Sequence, residues 1–254
     1  MAERERLDQR LVRDGLAESR AKAQALILAG RVLVDDVPVD KAGTPIRPEA
    51  AVRVRGELRR FVSRGGEKLE GAIADLGIEV RGRGCLDVGA STGGFTDCLL
   101  QAGARSVVAL DVGYGQLHPK LRGDPRVRVR ERTHVRALDA ADLGGPVDLV
   151  TIDASFISLR LVLPEVARLA PAAEVLALVK PQFEVGKGRV GKGGVVREDA
   201  LRAEAVEGVI SVARELGYAL LGRAESRLAG PKGNREVFLW LRPAGRVDDR
   251  EVGP

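Results

Sequence analysis

Aromatic side chains are scarce in this chain, at 3% of its 254 residues, so any core must be built mainly from Leu, Val and Ala. Hydrophobic residues reach 44%, enough to fill one. Cysteine is nearly absent. Cys85 and Cys98 make no CxxC pair and no disulfide framework, and read as two small buried residues flanking a glycine-rich turn. Long apolar runs are missing as well. None approaches the roughly 20 residues that a membrane-spanning helix needs. No signal-peptide pattern is visible, so a cytoplasmic protein is expected. No cluster of metal-ligating residues stands out, and no metal is expected. The run Gly186-Lys187-Gly188-Arg189-Val190-Gly191-Lys192-Gly193-Gly194 has neither the strand-to-helix setting nor the G-K-[ST] ending of a P-loop. It reads as a flexible basic loop, either a lid that settles on phosphates or a mobile connection.

What is present is an excess of positive charge, +5 overall, which favours an anionic partner without naming one. The first 60 residues hold 13 Lys and Arg against 10 Asp and Glu, and they read as a separate small module. Leu7, Leu11, Val12 and Leu16 recur at helical spacing, and Gly15 can end that helix. Ser19 is a candidate N-cap for a second helix reaching about Ala29, with Leu26 and Ile27 facing inward. A strand over Arg31 to Val34, a turn at Asp35-Asp36 and a short strand from Ala51 to Arg55 follow. The expected division is a module over 1–56, a linker over 57–63, a large domain over 64–244 and a charged tail over 245–254. In the large domain, apolar runs near 85–88, 107–110, 127–129, 147–152, 175–179, 218–221 and 237–241 alternate with helical stretches. That alternation predicts an α/β doubly wound sheet of seven strands with a late hairpin at its edge.

The run Leu86-Asp87-Val88-Gly89-Ala90-Ser91-Thr92-Gly93-Gly94-Phe95 reads as a strand, a glycine turn and the start of a helix. Glycines there let the backbone turn sharply and approach a ligand. The amides opening the helix are then free to meet polar groups. Asp111 closes the next apolar run. Strand, glycine turn, helix, strand and acid is how an open α/β sheet holds a nucleoside cofactor. Four charged residues punctuate the rest. Lys68 stands just before the first helix of the large domain, Asp153 ends the run Val150-Thr151-Ile152, Lys180 ends Leu176-Ala177-Leu178-Val179, and Glu236 opens the last strand. Strand ends of this kind face one crevice in an open sheet.

Two resemblances follow. The pattern Arg6-Leu7-Asp8, Leu11-Val12-Arg13-Asp14-Gly15-Leu16, Ser19-Arg20, Ala23, Leu26-Ile27, Gly30-Arg31-Val32 and Val34 resembles the S-four-like RNA-binding module over about residues 5–55. Asp35-Asp36 stands where that family usually has Asn-Gly. The large domain resembles the FtsJ-type methyltransferases, with Lys68, Asp153, Lys180 and Glu236 in the order of their Lys-Asp-Lys-Glu set. The runs Val62 to Leu69, Gly89 to Thr96, Asp111 to Leu117 and Val179 to Glu184 extend the likeness. Together they make the whole chain similar to the TlyA family of rRNA 2′-O-methyltransferases, often called haemolysins.

The resemblance implies a seven-stranded Rossmann-like class I methyltransferase sheet, S-adenosylmethionine as cofactor and ribosomal RNA or ribosomal subunits as partner, with methyl transfer at cytidine. Lys180 would be the base that activates the 2′-hydroxyl, Lys68 would stabilise the developing oxyanion, Asp153 would orient Lys180, and Glu236 would position Lys68 or the ribose. An ordinary lysine, with a pKa of about 10.4, is a poor base near neutrality, so a second cation and partial burial would have to assist. The turn Gly89, Ala90, Ser91, Thr92, Gly93, Gly94, Phe95 and Thr96 would hold the methionine part of the cofactor. Asp111 and Val112 would meet its ribose, and Thr133, His134 and Asp153 would complete the site, with His134 standing where the family usually has Asn. RNA contacts are expected from Arg4, Arg10, Arg13, Arg20, Lys22 and Arg31 in the module, and from Arg64, Lys187, Arg189 and Lys192 in the large domain. Contacts of that kind go mostly to phosphate and weaken with salt. Two rivals stand beside this reading: an RNA-binding assembly factor without catalysis, and a membrane-active haemolysin. Chemistry at a base nitrogen is disfavoured, because the strand at 147–152 is followed by Asp153-Ala154-Ser155-Phe156 rather than by an Asn/Asp-Pro-Pro-aromatic run.

Overall fold

The structure, a computed structural model, describes residues 4–55, 60–186, 188–230 and 232–245. It divides into two compact units, Met1–Arg59 and Arg60–Pro254.

In the first unit, β1 (Glu5–Arg6) runs into α1 (Leu7–Arg13), followed by α2 (Arg20–Leu28), β2 (Val32–Val34), β3 (Val37–Pro38), β4 (Pro45–Ile46) and β5 (Val52–Val54). Strand β2 lies between β3 and β5 in an antiparallel sheet, and β1 pairs with β4. Ser19 caps α2 by accepting the Lys22 N–H. Asp35 and Asp36 both take positive φ, 50° and 67°, and turn β2 tightly into β3. Leu7, Leu11, Ala23, Ile27, Val32 and Ile46 form the core. Val12, expected inside, is exposed, because α1 is only two turns long and its inward face is taken by Leu7 and Leu11. The pairs of residues in β1, β3 and β4 are too short to leave a periodic signal in the sequence.

The second unit holds α3 (Arg64–Leu76), β6 (Gly84–Val88), α4 (Gly94–Gln101), β7 (Ser106–Leu110), α5 (Pro119–Arg122), β8 (Val127–Arg130) and β9 (Leu149–Ile152). It continues through α6 (Leu159–Leu169), β10 (Glu174–Val179), α7 (Pro181–Glu184), α8 (Asp199–Glu215), β11 (Tyr218–Glu225) and β12 (Val237–Pro243). The seven strands lie in the order β11-β12-β10-β9-β6-β7-β8. Six run in one direction, and β12, between β10 and β11, runs antiparallel to both. The chain winds outward from β6 to β8, then crosses back to β9. The switch in direction therefore falls between β6 and β9, where an open sheet leaves a crevice beyond its strand ends. Apolar side chains pack against both faces, Val150, Val166 and Val209 on one and Leu69, Leu99 and Phe238 on the other.

The expected linker over 57–63 is corrected at its far end. Phe61 is buried and fills the space where a Cβ at Gly66 would sit, and the Val62 N–H donates to Asp97 Oδ2 at 2.9 Å. Residues 60–63 thus belong to the second unit, and Ser63 caps α3 by accepting the Gly65 N–H. The tail expected over 245–254 lies outside the described residues from 246 onward.

Candidate active site

The glycine turn after β6 is fixed from two sides. Gly89 and Ala90 both donate to the Leu110 carbonyl, at 2.9 and 3.0 Å. Gly89 has φ +88°, and a Cβ there would stand 2.8 Å from the Asp153 carbonyl oxygen, so the turn and the end of β9 meet at a distance only glycine permits. The Asp111 carboxylate accepts the Ser91 N–H on one oxygen (2.8 Å) and the Gly113 N–H on the other (2.7 Å), which joins the turn to the loop after β7.

These ends enclose a cavity of about 390 Å³. Of the residues expected at a cofactor, Gly89, Ser91, Asp111, Val112, Thr133, His134 and Asp153 line it. His134 Nδ1 accepts the Arg136 N–H at 3.3 Å, which anchors the ring at the cavity wall. Ala90, Thr92, Gly93, Gly94, Phe95 and Thr96 are not among the lining residues. Ala90 and Phe95 are buried in the core, Gly93 packs against Leu117 and Leu121, and Gly94 against Ser63. The Thr96 hydroxyl donates to Asp87 Oδ2 at 2.7 Å. These six residues build the turn rather than the cavity wall. Sequence reasoning missed Gln116, Ala154, Ser155, Phe156 and Ile157 as lining residues.

The four charged residues form two pairs. Lys68 Nζ lies 2.5 Å from Glu236 Oε2, and both side chains are buried. Lys68 stands inside α3, not ahead of it, because the helix begins at Arg64 under the Ser63 cap. Lys180 Nζ lies 2.7 Å from Asp153 Oδ1 and donates to Ser155 Oγ at 2.8 Å. Asp153 and Ser155 also line the cavity, so the Lys180 amine is tied to its wall. Glu236 Oε1 is buried without a hydrogen-bonding partner among the described residues.

Below the turn, Asp87 is wholly buried in β6. Burial pushes its carboxyl up to about 7, against the opposing pull of the Thr96 hydroxyl, with the nearby Asp153 charge adding to the rise. Phe156, just beyond β9, is 92% exposed and has φ +67°, a conformation that is strained for a bulky residue. Its ring centroid stands 5.4 Å from that of Phe183 in α7. Glu184 ties the two loops together, accepting the Ser158 hydroxyl (2.6 Å) and the Leu159 N–H (2.8 Å).

The basic residues expected at RNA separate into free and engaged. In the first unit, Arg4 and Lys22 are exposed. Arg20 is committed to the buried Asp8 at 2.9 Å, where Arg6 and Gln24 also donate. Arg10 holds Asp14 and the Pro48 carbonyl, Arg13 holds Glu5, and Arg31 holds the Arg55 carbonyl. These arginines read as solvent-facing by helical spacing, but their long side chains reach back to the unit's own acids and carbonyls. In the second unit, Arg64 donates to the Ala229 carbonyl at 3.3 Å, Arg189 pairs with Glu204, and Lys192 is exposed. Lys187 lies outside the described residues. Among the described residues no group of His, Cys, Asp and Glu could hold a metal, and no helix is long and apolar enough to cross a membrane. Both cysteines are buried free thiols, pushed up to about 12 by burial.

The profile of the FtsJ-like methyltransferases matches residues 61–243, and that of the S4 domain matches residues 5–52. The 16S/23S rRNA (cytidine-2′-O)-methyltransferase TlyA of Mycobacterium tuberculosis (strain H37Rv) is 54% identical over 244 residues, covering 95% of this chain and 91% of that protein. Hemolysin A of Brachyspira hyodysenteriae is 42% identical, covering 92% of this chain and 98% of that protein. Among solved structures, a hemolysin-named protein from Streptococcus thermophilus superposes with a TM-score of 0.73 at 39% identity, over 96% of this chain and 90% of that one. With identity of that extent, and a profile match that spans nearly the whole described second unit, the chain belongs to the FtsJ-like methyltransferase family, in its TlyA group, and carries an S4 domain.

Proposed function

We propose that this protein transfers a methyl group from S-adenosylmethionine to the 2′-hydroxyl of a cytidine in ribosomal RNA. The observation that carries the reading is the pair of buried lysine–carboxylate contacts, Lys180 with Asp153 and Lys68 with Glu236. Buried lysines are costly to place, and one of these is fixed to the wall of a cavity at the sheet's switch point. The name of the Mycobacterium tuberculosis relative, an rRNA cytidine-2′-O-methyltransferase, supports the substrate and the position. An rRNA substrate would be met in the cytoplasm.

The cavity residues fit the cofactor. Each Asp111 oxygen takes one backbone N–H and keeps a lone pair for a ribose hydroxyl. Val112, Val135, Ile157 and Val162 give apolar walls suited to an adenine ring, and His134 and Thr133 stand at the same wall. When bound, the cofactor supplies an electrophilic methyl group on a positively charged sulfur.

The chain's own residues place and deprotonate the nucleophile. With N–H groups given to the Asp153 carbonyl (3.4 Å) and Ser155 Oγ (2.8 Å), and the Asp153 carboxylate 2.7 Å away, a neutral Lys180 amine has its lone pair left to accept the proton of a ribose hydroxyl. Asp153 and Ser155 thereby fix the direction of that lone pair. Lys68, held by Glu236 Oε2, contributes positive charge toward a developing oxyanion, and Glu236 holds the Lys68 amine in place from a fully buried position. Phe156 offers an exposed ring beside the cavity, backed by Phe183, on which a base turned out of its helix can stack. Free cations of the S4 unit, Arg4 and Lys22, would add phosphate contacts.

The test is to incubate the protein with ribosomal subunits and labelled cofactor and to map 2′-O-methyl groups by mass. One or more methylated cytidines are expected, with transfer lost in Lys180→Ala while that variant binds S-adenosylmethionine within about twofold of the parent. Methylation at a base, or normal turnover by Lys180→Ala, would overturn the reading.

A further inference from the structure

Two loops at the carboxyl edge of the sheet are held together by one buried side chain. Asn234 is 2% exposed. Its Oδ1 accepts the Val196 N–H at 2.9 Å, and its Nδ2 donates to the Gly194 carbonyl at 2.9 Å. Residue 234 lies in the turn between β11 and β12, and residues 194 and 196 close the basic run that follows α7. One amide therefore satisfies a donor and an acceptor on a loop 38 to 40 residues away in the chain.

The same turn wraps the Glu236 carboxylate. Gly230 donates to the Asn234 carbonyl at 2.9 Å, and Gly233 donates to the Gly230 carbonyl at 2.8 Å. A Cβ at Gly230 would collide with Glu236 Oε1, so the backbone passes directly over that oxygen. On the other loop, Gly193 and Gly194 both have φ +82°, and Lys232 Nζ lies 3.3 Å from where a Gly194 Cβ would point. Lys232 thus lies across the basic loop, a position a side chain at 194 would obstruct.

Charge separates the cations of these loops. Arg189 is neutralised by Glu204, Arg227 by Asp75 and Arg235 by Glu225. Lys192 and Lys232 are exposed and have no acidic partner among the described residues. Two unpaired ammonium groups on adjoining loops suit an anionic polymer that lies across both.

We propose that Asn234 joins the loop over 188–196 and the turn over 232–236 into one clamp for an RNA phosphate backbone, with Lys192 and Lys232 as its phosphate contacts. The proposal rests on the RNA methyltransferase reading and extends it. Asn234 is a positioning residue: it touches no reacting atom, but it fixes the turn that covers Glu236. Backbone capture and the Lys68–Glu236 pair are then set by the same short segment.

The experiment uses the full chain, ribosomal RNA and labelled cofactor. Lys192→Gln with Lys232→Gln is expected to raise KM for RNA about tenfold while kcat moves less than twofold, and to reduce the slope of log affinity against log salt by about two. Asn234→Ala is expected to raise KM for RNA and also to lower kcat about tenfold, with cofactor affinity unchanged. Asn234→Asp keeps the acceptor for Val196 but sets a buried carboxylate oxygen against the Gly194 carbonyl, so it should lose kcat at least as far as Asn234→Ala. An unchanged salt slope in the double lysine variant overturns the clamp, and so does an Asn234→Ala enzyme with parental kcat and KM. If the parent chain transfers no methyl group to RNA, the methyltransferase reading falls instead, and the salt slope still decides whether the lysines hold RNA.

Discussion

Asp87→Asn tests the electrostatics beneath the glycine turn. Asp87 is fully buried in β6, where burial raises its carboxyl from the ordinary 3.8 to about 7. An acid with a raised folded pKa holds a proton in the native state that the unfolded chain has already lost. Its contribution to stability is therefore greatest at low pH and falls as pH rises through the interval from about 4 to about 7. At about 1.4 kcal/mol per pH unit, the decline between about pH 4.5 and about pH 8 amounts to about 3 kcal/mol. An asparagine cannot titrate. It keeps a carbonyl oxygen for the Thr96 hydroxyl at the cost of about 1 kcal/mol in hydrogen-bond quality. The variant should thus be slightly less stable than the parent at the acid end and about 2 kcal/mol more stable at the alkaline end. Groups that do not interact with Asp87 titrate alike in both chains and cancel in the difference. Guanidinium unfolding followed through Trp240 measures this directly, because Trp240 is the chain's single tryptophan and sits in β12 of the same sheet. Parallel stability curves across the interval would refute the reasoning.

Two further perturbations probe separate parts of the molecule. Phe156→Ala removes an exposed ring and should leave stability within about 0.5 kcal/mol, while RNA methylation drops about 5- to 100-fold through lost base stacking; unchanged steady-state kinetics would remove Phe156 from the substrate site. Asp8 is held well below the usual carboxylate range, first by its hydrogen bond from Arg6 and then by Gln24 and Arg20. A lowered carboxylate stabilises the fold above its ordinary value and loses that effect as pH falls below about 4. Hydrogen exchange in α1 should therefore accelerate on acidification in the parent and change less in Asp8→Asn, whose protection is already reduced at neutral pH.

The sheet was legible because its signals are local. Most of the seven strands are apolar runs, β8 alternating Val with Arg, and the charges at 153 and 180 mark where two of those runs leave the core. The glycine turn is legible for the same reason, yet of its residues only Gly89 and Ser91 line the cavity. Gly93, Gly94, Phe95 and Thr96 look alike to a motif but face protein, and nothing in the spacing distinguishes a glycine that admits a ligand from one that admits Leu121. Asp87 went unremarked because it stands inside an apolar strand, although a lone acid between Leu86 and Val88 is itself the signal of a buried hydrogen-bonded group. Phe156 and Ser155 were noted only for lacking prolines. Their roles depend on the positive φ at 156 and on the approach of Lys180, neither of which sequence records. Asn234 is a tertiary staple between segments about 40 residues apart in the chain, so no local pattern reveals it.

The two lysine–carboxylate pairs have a consequence for how attraction and chemistry are divided. Each buried lysine stands beside an acid at 2.5 to 2.7 Å, so neither pair adds net positive charge toward an approaching polyanion. Attraction must come from exposed cations such as Lys22, Lys192 and Lys232. Those are screened by salt over about 10 Å at 0.1 M, whereas close buried pairs are screened far less. Raising ionic strength should thus weaken RNA capture while leaving the geometry at Lys180 intact. The loss would appear in KM, and saturating RNA would restore the rate. Had the buried lysines themselves been the phosphate anchors, salt would depress kcat and KM effects together. The pairing also explains why removing one acid is a harsher change than removing one exposed cation: it strands a buried charge, which costs about 3 to 5 kcal/mol, while an exposed lysine loses only its share of a screened attraction.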